Sequence, residues 1–63
     1  MPTVNQMRQA VIICQHLSNF YQPIYLFRYD VDREEIFIIA GELESIEITI
    51  FNDGTWRYEI VEL

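Results

Sequence analysis

The sequence of 63 residues has little cysteine, little histidine and little positive charge. The single cysteine, Cys14, cannot form an internal disulfide, and with only one histidine beside it there is no zinc-binding cluster. A domain of this size buries only about 60% of the surface that its unfolded chain exposes, so it commonly needs a disulfide, a metal or a partner chain. Without a disulfide or a zinc site, association with another chain is the remaining way to stabilise this small fold.

Lysine is absent, and four arginines stand against ten acidic residues, which gives a net charge of −6. A chain with this charge repels phosphate backbones, so we expect no nucleic-acid partner. We find no secretory signal pattern and no apolar run near the ~20 residues of a membrane span, and we therefore expect no membrane contact and a cytoplasmic location. The acidic residues all lie at or after Asp30, which leaves the preceding part as a surface of low charge.

An N-terminal helix is predicted by its start signal and by its periodicity. Thr3 and Gln6 have the spacing of a capping box. The helix should end near Ser18 and Asn19, where Asn tolerates a left-handed cap and Pro23 follows. Apolar residues recur at helical spacing and predict a buried face formed by Val4, Met7, Ala10, Val11, Cys14 and Leu17, with Ile13 and Phe20 on its flank.

Four runs of β-forming residues follow, at Ile24–Asp30, Ile36–Ala40, Ser45–Phe51 and Thr55–Val61. Short connections favour antiparallel neighbours, so the sequence predicts one α+β domain over residues 1–63. Its architecture is an N-terminal helix packed on a four-stranded antiparallel meander sheet (αββββ).

The stretch "FNDGT" predicts the last hairpin. Asn52 and Asp53 suit a type I turn, and Gly54 supplies the positive φ of the bulge that closes a three-residue loop. This register places six residues on one face of the sheet, in the pairs Ile50–Trp56, Ile48–Tyr58 and Ile46–Ile60. The turn chemistry and the apolar alternation agree, which supports the prediction.

One helix can cover one side of such a sheet, yet the first two strands carry large apolar side chains on both sides. Their register is left open, since a slip of one residue exchanges the two faces. We therefore expect an exposed apolar patch on the outer face of strands one and two, and a second, weaker candidate on the outer side of the helix. The interface residues predicted in this way are Ile24, Leu26, Phe37, Ile39 and Ile12. The alternative is a strongly curled sheet whose patch is covered by loops or by the C-terminal "IVEL".

The residues that could have catalytic or metal-binding roles are explained more simply as ordinary surface or core residues. Asp30 and Asp32 begin the stretch "DVDREE" like a calcium loop, but the required glycine is missing, so we expect a solvated hairpin tip, with weak divalent-ion binding left open. His16 lies on the polar side of the helix without a predictable partner, and Cys14 points toward the core. We predict no catalytic residue, no cofactor and no metal site.

The segments "CQHLSNFYQPIYLFRYD", "AGE" and "DGTWRYE" resemble a family of short, functionally uncharacterised proteins common in cyanobacteria. The likeness would cover nearly the whole chain. It implies a bacterial cytoplasmic setting and no assigned activity, and it brings no binding or catalytic residues with it.

The sequence therefore predicts a non-enzymatic protein–protein association module, either a homodimer or the small subunit of a larger complex, joined through the outer face of strands one and two. The alternative is a monomeric ligand-binding or regulatory protein with a small apolar pocket under a curved sheet.

Overall fold

A computed structural model describes residues 1–60 of the chain. It contains one helix, α1 (Val4–Asn19), and four strands, β1 (Ile24–Asp30), β2 (Glu35–Ala40), β3 (Ile46–Ile50) and β4 (Trp56–Ile60). The strands form one antiparallel sheet in the order β1-β2-β3-β4, which confirms the predicted αββββ arrangement. The last residue of the predicted fourth strand and the end of "IVEL" lie outside the described residues.

The start of α1 is fixed by a confirmed capping box and by one buried amide. The Thr3 hydroxyl accepts a hydrogen bond from the Gln6 N–H at 3.1 Å, and Gln6 Oε1 accepts one from the Thr3 N–H at 2.8 Å. Gln6 Nε2 also donates to the carbonyls of Glu34 at 2.7 Å and of Ile50 at 3.3 Å. The side chain of Gln6 is fully buried, and these bonds join the helix start to the β1–β2 turn and to the end of β3.

The buried face of α1 differs from the predicted one. Val4 and Val11 were expected to be buried and are exposed, whereas Gln6 and Ile13 lie in the interior. The buried stripe is turned by somewhat less than the ~100° that separates neighbouring helical residues. The hydrogen bonds of Gln6 account for this rotation, because they hold a polar side chain against the sheet and turn the neighbouring apolar positions outward.

The helix ends in a Schellman motif, but the left-handed residue is not the expected asparagine. Tyr21 has φ 57°, its N–H donates to the Ser18 carbonyl at 3.0 Å, and the Gln22 N–H donates to the Leu17 carbonyl at 2.8 Å. Asn19 is still the last helical residue. A tyrosine in this conformation carries the steric strain of its Cβ, which a glycine would not have.

The first hairpin, whose register was left open, pairs Tyr29 with Ile36 and Leu26 with Ile39. A β-bulge falls between Ile24 and Leu26, so that Ile24 lies opposite Ala40. The bulge breaks the strict alternation expected along β1. Ile24 therefore leaves the face that Leu26 occupies.

The last hairpin, which joins β3 and β4, has the predicted turn. The Gly54 N–H donates to the Phe51 carbonyl at 2.9 Å and the Phe51 N–H donates to the Thr55 carbonyl at 2.7 Å, with Gly54 at φ +90°. Two hydrogen bonds from Thr55 hold the pKa of the Asp53 carboxyl below its usual range. A Cβ on Gly54 would lie 2.8 Å from that of Asn5, so only glycine lets the turn dock against the helix start.

The core lies between α1 and the two central strands. The helix packs mainly on β2 and β3, and most of the buried side chains are isoleucines of these two strands. The buried apolar residues are Ala10, Ile13, Leu17, Ile36, Ile38, Ala40, Ile48 and Ile50.

We predict that Gln6→Ala lowers the free energy of unfolding by about 2–4 kcal/mol, because the Thr3 N–H and the carbonyls of Glu34 and Ile50 lose this partner and a void opens in the interior. Chemical denaturation followed by circular dichroism measures the change. Gln6→Glu should be destabilising as well, since a carboxylate cannot donate to the carbonyls of Glu34 and Ile50.

The matched control is Gln15→Ala on the exposed side of α1, which should change stability by less than about 0.5 kcal/mol. A loss below about 1 kcal/mol for Gln6→Ala would contradict the role given to this amide.

We predict that Tyr21→Gly raises the free energy of unfolding by about 0.5–1 kcal/mol, because glycine adopts positive φ without strain and the Tyr21 side chain is 91% exposed. The same substitution at the helical residue Asn19 should lower stability by a few tenths of a kcal/mol or more. Thermal or chemical denaturation of the two variants compares them. Destabilisation by Tyr21→Gly would show that the tyrosine side chain contributes to the fold.

Candidate association surface

One helix is too narrow to cover its own side of this sheet. A helix with its side chains is about 10–12 Å wide, whereas four strands spaced about 4.8 Å apart measure roughly 15–19 Å across. Because α1 lies over β2 and β3, most side chains of the two edge strands that point to the helix side stay exposed, whereas Tyr29 on β1 packs partly against the core. Phe27 on β1 is 52% exposed and Tyr58 on β4 is 58% exposed, although each pairs with a buried isoleucine.

The larger of the two uncovered regions lies between α1 and β4, and we call it the β4 groove. It has a volume of about 550 Å³. Its lining is apolar and aromatic apart from Gln9 and His16, and comes from Gln9, Ile12, Ile13, His16, Leu17, Phe20, Ile46, Ile48, Trp56 and Tyr58. The ring centroids of Trp56 and Tyr58 lie 5.8 Å apart, so these two side chains form one aromatic wall of the groove.

A smaller hollow of about 250 Å³ lies on the opposite flank of α1, against β1. Ala10, Val11, Cys14 and Phe27 line it. Cys14 was expected to point into the core, and it packs against the core while remaining partly exposed at this hollow. Partial burial raises the pKa of the Cys14 thiol, because an apolar environment disfavours the thiolate.

The outer face of the sheet brings together three of the predicted interface residues. Leu26, Phe37 and Ile39 point away from the helix, and each of them is only partly exposed. Charged residues surround them, because Arg28 lies opposite Phe37 and Glu47 lies opposite Ile39. This patch is therefore smaller and more charged at its border than the β4 groove.

The other two predicted interface residues lie elsewhere. Ile24 is placed opposite the buried Ala40 by the bulge in β1, on the helix side of the sheet. Ile12 lines the β4 groove and does not stand alone on the outer side of the helix.

The exposed residues on the helix side of β4 that were not predicted as interface residues are Trp56, Tyr58 and Ile60. The apolar alternation along β4 correctly predicts that these side chains face the helix, but it does not predict that they stay exposed. The missing signal was geometric, since comparing the width of four strands with that of one helix would have identified the edge strands as exposed.

The polar residues that could have catalytic or metal-binding roles lie in different parts of the molecule. His16 lines the β4 groove, and among the described residues of that lining there is no carboxylate beside it. The Asp30 carboxylate accepts hydrogen bonds from the N–H groups of Asp32 and Arg33, at 3.0 and 3.2 Å, and so stabilises the β1–β2 turn. Within residues 1–60 no group of three or more His, Cys, Asp or Glu side chains has a metal-binding arrangement.

The fold and its open flanks define a small one-helix α+β domain with an incompletely covered sheet. Among the described residues no helix is both long enough and apolar enough to cross a membrane. The chain belongs to the family described as Domain of unknown function (DUF6888), which matches residues 1–57. No curated protein and no solved structure shows a significant match to the chain.

We predict that Cys14 reacts slowly with iodoacetamide in the folded protein, because its raised pKa keeps the thiol protonated at neutral pH. The rate should rise with pH and level off at a higher pH than in the urea-unfolded chain, which serves as the control. Mass spectrometry of samples quenched over time gives both profiles. A midpoint at or below that of the unfolded chain would contradict the effect of burial on the pKa.

Proposed function

We propose that this protein is a non-enzymatic protein–protein association module whose partner is a second copy of itself. The observation that supports the proposal best is the exposed apolar surface formed by the β4 groove and the β4 strand beside it. A bacterial, cyanobacterial origin and a cytoplasmic location belong to the same proposal, and they rest on the sequence alone.

The exposed side chains around the β4 groove are of the kind found at the centre of interfaces. Phe20 is 72% exposed, Trp56 is 44% exposed and Ile60 is 66% exposed. Aromatic residues are enriched, and charged residues depleted, at interface cores. Soluble monomers rarely expose large contiguous apolar patches, so a surface of this composition favours association.

The strength of such an association can be bounded. Removing about 600 Å² of apolar surface in total would gain roughly 15 kcal/mol at ~25 cal/mol per Å². The loss of translational and rotational freedom opposes this gain by about 4–15 kcal/mol. The difference lies between about 0 and 11 kcal/mol, and the middle of this range, about 5.5 kcal/mol, corresponds to a weak dimer with a dissociation constant on the order of 0.1 mM.

The interface that the sequence predicts on the outer face of β1 and β2 stays a prediction. Leu26, Phe37 and Ile39 do form one patch there, but it is partly covered and bordered by charges. The β4 groove offers more exposed apolar surface, and we therefore give it the main role in the proposal.

The second candidate function is the binding of a small apolar ligand by a monomer. The volume of the β4 groove, about 550 Å³, lies within the range of small-molecule sites. A ligand-binding monomer would keep its mass at all protein concentrations, whereas the association module would not.

We predict that the average mass in solution increases with concentration between about 1 µM and 1 mM, and that the emission of Trp56 shifts to shorter wavelength in parallel. Trp56 is the only tryptophan of the chain, and it lines the groove that association would close. Sedimentation equilibrium measures the mass, and fluorescence of the same samples measures the burial of the indole.

The matched variants are Ile60→Lys, on the helix side of β4, and Ile39→Lys, on the outer face of β2. Ile60→Lys should remain a folded monomer by circular dichroism, and Ile39→Lys should associate like the natural chain. A constant monomeric mass up to 1 mM would refute self-association. Loss of association in Ile39→Lys alone would transfer the interface to the outer face.

A further inference from the structure

The β4 strand has one edge that is paired and one that is free. Within residues 1–60, β4 pairs with β3 and lies at the end of the sheet. The Phe51 N–H donates to the Thr55 carbonyl, so this is a hydrogen-bonded pair, and such pairs alternate along an antiparallel ladder. The backbone groups of Arg57 and Glu59 therefore point toward β3, and those of Trp56, Tyr58 and Ile60 point to the free edge.

We propose that a second copy of the chain pairs with this edge, β4 against β4 in antiparallel orientation, with the two-fold axis at Tyr58. This inference rests on the proposed function, and it specifies how the two copies meet. The two Tyr58 residues form a hydrogen-bonded pair, and Trp56 forms another with Ile60 of the second copy. About six backbone hydrogen bonds result, and the two sheets become one sheet with both helices on the same side.

The side chains of β4 are self-complementary about Tyr58. In this register Arg57 lies opposite Glu59 of the second copy, and the symmetry repeats the contact. These two positions form non-hydrogen-bonded pairs, in which side chains approach most closely. On the helix side, Trp56 lies opposite Ile60 of the second copy. A two-fold interface requires a patch that complements itself in this way.

The monomer contains an unfavourable pair that the dimer would relieve. Glu59 lies directly opposite Glu47 of β3, and Arg57 lies opposite the neutral Thr49. Like charges directly across a ladder are destabilising, and opposite charges are stabilising. In the proposed register each Glu59 gains an arginine on its other side.

The other free edge of the sheet is less suited to this pairing. The bulge between Ile24 and Leu26 interrupts the ladder of β1. A two-fold axis at Phe27, the middle of the strand, would place Arg28 opposite Leu26, without charge complementarity. Bulges are among the devices that keep edge strands from pairing.

The test is a charge-swap cycle at two exposed outer-face positions. Arg57→Glu and Glu59→Arg each place like charges across the proposed interface, and each should raise the dissociation constant of the dimer at least about tenfold. The double variant Arg57→Glu/Glu59→Arg restores opposite charges and should return within about threefold of the natural chain. Sedimentation equilibrium measures the constants, and circular dichroism verifies that each variant is folded.

Amide hydrogen exchange provides an independent measurement on the unmodified protein. The Tyr58 N–H should exchange more slowly as the protein concentration rises, because it is bonded only in the dimer. The Arg57 N–H points toward β3 and serves as the internal control, with protection that depends little on concentration.

The outcomes separate this inference from the proposed function. Association that is insensitive to both single reversals, or a double variant as weak as the single ones, would overturn β4 pairing and leave association through another surface. Absence of association in the natural chain would overturn both. Rescue in the double variant, together with concentration-dependent protection of Tyr58, would support the two-fold β4 pair.

Discussion

The position of the helix depends on one buried side chain, the amide of Gln6. It bonds to the first turn of the helix through Thr3, to the β1–β2 turn through Glu34 and to the end of β3 through Ile50. A buried amide is stable only when its donors and acceptors have partners, and those partners exist in one arrangement of helix and sheet. Gln6 therefore fixes both the rotation of the helix and its place over the central strands.

The exposed surfaces of the molecule follow from that position. A helix held over β2 and β3 buries the inward isoleucines of the central strands and leaves most of the side chains of both edge strands exposed on the same side. The uncovered side chains at β4 are aromatic, and they meet the apolar flank of the helix at Ile12 and Phe20. The outer face is different, because charged residues lie among its few apolar ones. The apolar surface thus lies beside the helix and much less behind the sheet.

The elements and turns were predictable from the sequence because each depends on neighbours along the chain. The capping box of Thr3 and Gln6 and the turn at Gly54 require only local hydrogen bonds and local φ values. The rotation of the helix was not predictable, since it depends on carbonyls of Glu34 and Ile50 that are distant in sequence. The bulge in β1 was missed for a similar reason, because pairing with β2 determines it.

The candidate site was predictable only in part. Alternation along β4 correctly placed Trp56 and Tyr58 on the helix side, but a pattern of side chains does not tell whether a neighbouring element reaches them. The expected patch on the outer face was assembled from Leu26, Phe37 and Ile39, which do lie together. The expected patch also included Ile24, which the bulge in β1 places on the helix side.

The bulge at Tyr25 also limits how large an assembly built from these sheets can become. A fibre can grow without limit only if both edge strands of every molecule can pair, because each added molecule must present a free edge to the next one. In the proposed dimer, joining two molecules through β4 would use the regular edge of each. Both rims of the proposed sheet would then be the interrupted β1 strands, and we expect growth to stop at the pair.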